Sequence, residues 1–171
     1  KLRAMVESGK ITATLFELGS GTLLHAKSLN LIDKLDWAAI NPMPMFPEAK
    51  NEYGFGYQYY STGMAWRKGA KAPQNWADFF NTKDFPGKRA IPDYHQYAIP
   101  FALLADGVPL DKLFPLDIDR GLKKLLSIRR DISVLWKAGA QAPQLLKDNE
   151  VQYSIAWSGR IVEEADLVFS Y

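Results

Sequence analysis

The 171-residue sequence contains no cysteine. That excludes disulfides, thiolate metal sites and a cysteine nucleophile, and it leaves the cellular compartment open. Histidine is scarce as well: His25 and His95 alone cannot build a His-rich metal centre. An excess of one charge is also missing. With 21 Lys plus Arg against 19 Asp plus Glu, the net charge of +2 provides no basic field for nucleic acid or anionic lipid, and no acidic tail. Apolar runs fall far short of the ~20 residues that a membrane-spanning helix needs, so no membrane insertion is expected. There is no phosphate-binding glycine loop, no Gly-x-Gly-x-x-Gly and no Gly-x-Ser-x-Gly elbow. Internal repeats and low-complexity tracts are likewise absent.

What is present suits a folded α/β protein. Hydrophobic residues make up 47% of the chain and aromatics 13%, and a chain of this size buries roughly 70% of the surface it exposes when unfolded. The first nine residues are too charged and too short for a signal peptide. They read as the end of a helix, with Leu2, Met5 and Val6 on one face and Gly9 closing it, so the chain is expected to begin inside a fold.

Ile11 to Leu18 reads as a β-rich run that stops at Gly19-Ser20-Gly21, after which Thr22 to Leu29 has helical spacing. Three prolines between Asn41 and Asn51 forbid a helix and favour an extended loop. Tyr53 to Trp66 reads as an aromatic strand, or two short ones, broken near Gly63. Asn75 caps a helix over 76–80. Ala90-Ile91 is a short strand ending at Pro92-Asp93, followed by a helix over 97–104 and another over 117–126. Strands are expected at 132–136, 151–157 and 167–171, with short helices at 144–148 and 161–165. This alternation predicts mostly parallel sheets.

Polar and aromatic residues collect at the strand ends: Ser20, Tyr60, Ser61 and Thr62, Asp93 and Tyr94, Gln141, and Trp157. Ligands of open α/β sheets bind at the carboxyl ends of strands, so these residues are candidates for one cleft. A flat indole at Trp157 can stack on a solute or face a cation. Taken alone, Asp93 is equally a helix cap and Trp157 a core residue. His95 beside Asp93 is the one pair that could serve as an enzymatic base, and no matching nucleophile accompanies it. The aromatic run 53–60 lacks the interleaved Arg and Lys that nucleic-acid stacking needs.

The order Tyr57 to Trp66 (YQYYSTGMAW), Pro73 to Phe80 (PQNWADFF), Phe85 to Asp93 (FPGKRAIPD), Leu103 to Leu110 (LLADGVPL), Gly139-Ala-Gln141 and Ala156 to Arg160 (AWSGR) resembles the extracellular solute-binding proteins of ABC importers, in their spermidine/putrescine-binding branch. The resemblance implies a type II periplasmic-binding-protein fold, two α/β lobes joined by crossing hinge strands, here one complete lobe and part of the other. Residues 1–66 would be part of the first lobe with a hinge strand, 67–159 the second lobe, and 160–171 the return crossing. It implies a non-enzymatic receptor that needs no cofactor and no metal. The receptor would capture a small cationic or zwitterionic solute, polyamine-like, and hand it to the transmembrane subunits of a permease. Its location would be periplasmic, or extracellular on a lipid anchor.

By position, the resemblance makes Ser20, Ser61, Thr62, Asp93 and Trp157 ligand-binding residues. The sequence departs from the polyamine pattern in two places: Trp-Ser-Gly replaces Trp-Asn-Gly, and Gln96 stands where a second acid is expected. An enzyme on the same fold using Asp93 and His95, or a ligand-sensing domain, are the alternative readings.

Overall fold

The computed structural model describes residues 1–171, which divide into two compact units, Lys1–Tyr59 and Tyr60–Tyr171. The first unit contains α1 (Leu2–Ser8), α2 (Ser20–Ser28), α3 (Trp37–Ile40), a single 3-10 turn at Pro47–Ala49, and a minimal hairpin of β1 (Lys50–Asn51) with β2 (Gly54–Phe55). Gly9 ends α1 in the left-handed conformation, at φ 66°, and its N–H donates to the Val6 carbonyl. Asp36 caps α3, accepting from the N–H groups of Ala38 and Ala39.

Burial in this unit is sparse: Met5, Ala26 and Ala49 are its buried apolar residues. The expected strand over 11–18 does not form. The chain there is irregular, with Ile11 and Leu15 exposed, because a β-rich run needs a neighbouring strand to take its backbone hydrogen bonds.

The second unit is built on a five-stranded sheet of β3 (Thr62–Arg67), β4 (Arg89–Pro92), β5 (Ile132–Trp136), β6 (Tyr153–Trp157) and β7 (Leu167–Ser170), in the spatial order β5-β4-β6-β3-β7. β4 runs parallel to β5 and β6, whereas β3 is antiparallel to both β6 and β7. The sheet is therefore mixed, not mostly parallel as the alternation of elements suggests. The aromatic run 53–66 is two pieces, β2 and β3, with irregular chain at 56–61 between them. Gly63 does not break the strand: it lies inside β3, where a Cβ would meet the Ser170 carbonyl oxygen at 2.4 Å and the Phe169 ring at 2.6 Å.

Helices cover both faces of this sheet. Because side chains alternate along a strand, Met64 and Trp66 of β3, Ile91 of β4, and Tyr153 and Ile155 of β6 turn to one face. There they meet Trp76, Phe79 and Phe80 of α4 (Trp76–Phe80) and Ala102 and Ala105 of α5 (Ile99–Ala105), with Ile128 beyond α6 (Ile118–Ser127). Each large side chain so buried contributes about 1.5–3 kcal/mol. The opposite face collects Ala65, Ala90, Ala156 and Trp136 against Ala142 and Leu146 of α7 (Gln141–Lys147).

Asn75 and Asp117 cap α4 and α6 through side-chain oxygens on the N–H groups of Asp78 and Arg120. The helix expected over 161–165 is instead a 3-10 turn at Ser158–Arg160 followed by further turns. α7 begins at Gln141, so Pro143 sits in its first turn, where a missing N–H is harmless.

Candidate functional site

The carboxyl ends of β4, β5 and β6 and the amino end of the antiparallel β3 share one edge of the second unit. Thr62 lies directly opposite Trp157 in the β3–β6 register. Around the Trp157 indole stand three rings: Trp136 at 5.1 Å between centroids and 89° between planes, Tyr60 at 5.7 Å, and Tyr97 at 5.9 Å. Edge-to-face contacts of this kind add about 0.5–1.5 kcal/mol each beyond the area they bury. The hydroxyls of Tyr60 and Tyr97 are hydrogen-bonded at 3.2 Å. Burial, together with that bond, pushes the Tyr97 phenol up to about 12.

Trp136 is fully buried and donates its Nε1 proton to the Ile155 carbonyl at 3.0 Å. The Nε1 of Trp157 is buried as well and has no partner. An orphaned donor of this kind costs about 1–3 kcal/mol.

Asp93 prolongs the parallel ladder, its N–H donating to the Trp136 carbonyl at 2.9 Å. Its carboxylate faces Lys137 Nζ at 3.7 Å with both side chains well exposed, a weak pair that a ligand can displace. The enzymatic pairing of Asp93 with His95 thus gives way to a pairing with Lys137.

Tyr94 donates its hydroxyl proton to the Lys137 carbonyl at 2.6 Å. The Gln141 side-chain oxygen accepts from the N–H groups of Lys137 and Ala138 at 2.7 and 2.9 Å. Ser61 and Ser158 tie the start of β3 to the end of β6: the Ser61 N–H donates to Ser158 Oγ, and the Ser158 N–H to the Ser61 carbonyl. The Ser61 hydroxyl donates to Tyr171 Oη at 3.1 Å.

Tyr60, Ser61, Thr62, Asp93, Tyr94, Gln141 and Trp157 therefore belong to the same unit and the same edge of its sheet. Ser20 opens α2 in the other unit, exposed, with Gly19 before it. Tyr97, Trp136, Gly139 and Arg160 join the group although sequence reasoning did not single them out. Tyr97 and Trp136 read as ordinary apolar positions of a helix and a strand. Gly139 and Arg160 were visible only as neighbours of Gln141 and Trp157 in short motifs. The Arg160 side chain is exposed and in no ion pair, and its Nε lies 3.5 Å from where a Cβ on Gly139 would stand.

The family model for bacterial extracellular solute-binding proteins matches residues 1–167. A gamma-aminobutyric acid (GABA)-binding protein of Pseudomonas aeruginosa is 38% identical over 169 residues, covering 94% of this chain and 48% of the relative. Among solved structures, an ABC transporter substrate-binding protein of Bradyrhizobium japonicum superposes with a TM-score of 0.87 at 38% identity, over 99% of this chain and 55% of that one. A GABA receptor structure does so with a TM-score of 0.87 at 34% identity, over 99% and 55%. The chain thus spans about half the length of these relatives, and the fold is that of the periplasmic binding proteins.

The spermidine/putrescine branch is the more distant likeness. A spermidine/putrescine substrate-binding protein of Streptococcus pneumoniae shares 18% identity at a TM-score of 0.68, a likeness of fold alone.

Proposed function

The chain belongs to the bacterial extracellular solute-binding protein family, and from that membership we propose that its protein is the periplasmic receptor of an ABC importer for a short zwitterionic ω-amino acid of the GABA class. The observation that carries the ligand class is one acid and one guanidinium flanking a ring cluster. Asp93 and the unpaired Arg160 both border the loop at 137–140, beside Tyr60, Tyr97 and Trp157.

A diamine needs two opposed carboxylates to offset the desolvation of its ammonium groups, whereas a zwitterion needs one group of each sign. In this reading Asp93 releases Lys137 to take the ammonium group, and the rings shield it at about 0.5–2 kcal/mol apiece. Arg160 takes the carboxylate in a two-pronged hydrogen bond. Thr62 supplies a further hydroxyl, while Ser61, Tyr94 and Gln141 hold the frame. Capture shifts the population toward a closed state, which the permease subunits read. Resemblance to the GABA-binding relative supports the same class.

The test is a thermal-shift series on the intact protein with GABA, β-alanine, 5-aminopentanoate, putrescine and spermidine. A solute at 100 times its Kd stabilises by about 2.7 kcal/mol. The expected result is a shift with at least one ω-amino acid that Asp93→Asn and Arg160→Gln each weaken. A shift with putrescine or spermidine alone overturns the assignment.

A further inference from the structure

Gly139 lies in the loop joining β5 to α7, and its glycine is required for space. A Cβ there would fall 2.5 Å from Cε3 and 2.6 Å from Cζ3 of the Trp157 indole, distances that real Cβ atoms do not reach. These are atoms of a rigid ring, so one of the two partners has to move by about 1 Å to restore ordinary contact.

The loop cannot retreat. Its Lys137 and Ala138 N–H groups are both held by Gln141 Oε1, the Gln141 N–H donates to the Ala138 carbonyl at 2.9 Å, and the Tyr94 hydroxyl holds the Lys137 carbonyl. The Trp157 main chain is fixed in the ladder with Thr62. Toward the core the indole meets Trp136, which is fully buried and anchored through its own Nε1 to Ile155. The remaining direction leads toward Tyr60, which is 46% exposed, and the half-buried Tyr97.

We propose that Gly139 is the positioning residue of Trp157, and that the lack of a side chain at 139 sets how far the indole stands toward Tyr60 and Tyr97 and so the longest solute this aromatic edge accepts. The length argument rests on the proposed receptor reading; the positioning argument does not. In this arrangement Gln141 and Tyr94 act through the loop they clamp, with no need to touch the solute.

The experiment compares the intact wild-type protein with Gly139→Ala, Gly159→Ala, Trp157→Phe and the double variant Gly139→Ala/Trp157→Phe. A Cβ on Gly159 would meet open space, which makes Gly159→Ala the control for losing a glycine in the same motif region. Near-UV circular dichroism without solute reads the coupling of the Trp136 and Trp157 rings. Calorimetry then gives affinities for β-alanine, GABA and 5-aminopentanoate.

Gly139→Ala is expected to alter the near-UV spectrum and to weaken 5-aminopentanoate by about tenfold or more, with β-alanine least affected, as overpacking of a filled site does. Gly159→Ala should match wild type. Because phenylalanine lacks the second ring of the indole, the double variant should bind as Trp157→Phe alone does. If Gly139→Ala fails to fold, recovery of folding in the double variant supports the clash.

An unchanged near-UV spectrum in Gly139→Ala, or equal losses for all three solutes without rescue, overturns the proposal. A changed spectrum in a protein whose wild type takes none of the three amino acids upholds the positioning role and overturns the solute class.

Discussion

Arg89 carries a guanidinium into the fully buried end of β4 and satisfies it with main-chain carbonyls. It donates to those of Phe79, Phe85 and Gly87, and lies 4.8 Å from the Tyr153 ring centroid. Burial lowers its pKa, opposed by the Asp131 charge. Replacing it strips three inward-facing carbonyls of their donor, so Arg89→Met is expected to cost about 3 kcal/mol or more, read from the urea midpoint.

Tyr97 makes a second residue-scale prediction. Its phenol is raised from 10 to about 12, chiefly by burial and then by Tyr60. The unfolded chain therefore ionises first, and this contribution to stability is complete below pH 10 and lost as pH rises toward 12. The thermal midpoint of Tyr97→Phe should fall less steeply over that window than wild type. Neither role was legible in the sequence, since a Lys-Arg pair in a turn and a tyrosine before a helix carry no sign of what the fold packs around them.

Among the elements, caps were the most legible. Asn75 and Gly9 act through neighbours a few residues away, and local sequence contains that whole interaction, as it does for Asp117, which the spacing predicts inside its helix and which instead caps it. Asp117→Ala is expected to cost about 1 kcal/mol by thermal denaturation, with the sheet unaffected. Strands were less legible. The runs at 132–136, 153–157 and 167–170 find partners, whereas 11–18 has a similar composition and finds none, because β-propensity describes fit to an existing pleated surface.

Strand direction was beyond local reading altogether, so the antiparallel placement of β3 between β6 and β7 came only from the fold. That placement brings β7 against Gly63. Gly63→Ala should wedge β3 from β7 and lower stability by about 1–3 kcal/mol, with faster amide exchange at 167–170 than at 153–157.

At the scale of the whole molecule, the two units differ in how much they bury. The first has three small or flexible core residues, Met5, Ala26 and Ala49, while the second encloses cores on both faces of its sheet. Backbone amides of 2–55 are therefore expected to exchange well before those of β4 and β6, which native-state hydrogen exchange measures directly. The family was legible because motif order survives where contacts do not. The proposed solute class was not, because that proposal depends on Arg160 and the rings meeting across separate elements.

The buried Trp157 donor also turns the molecule into its own reporter. Each of the five tryptophans gives one indole signal in a nitrogen-15 correlation spectrum. Trp37 donates to Asn51 and Trp136 to Ile155, so their signals mark hydrogen-bonded protons in the two units, while the Trp157 proton is buried without a partner and its signal is expected to differ from theirs. Titrating a solute into labelled protein is expected to move the Trp157 signal first, and a single spectrum would separate events at the aromatic edge from unfolding elsewhere.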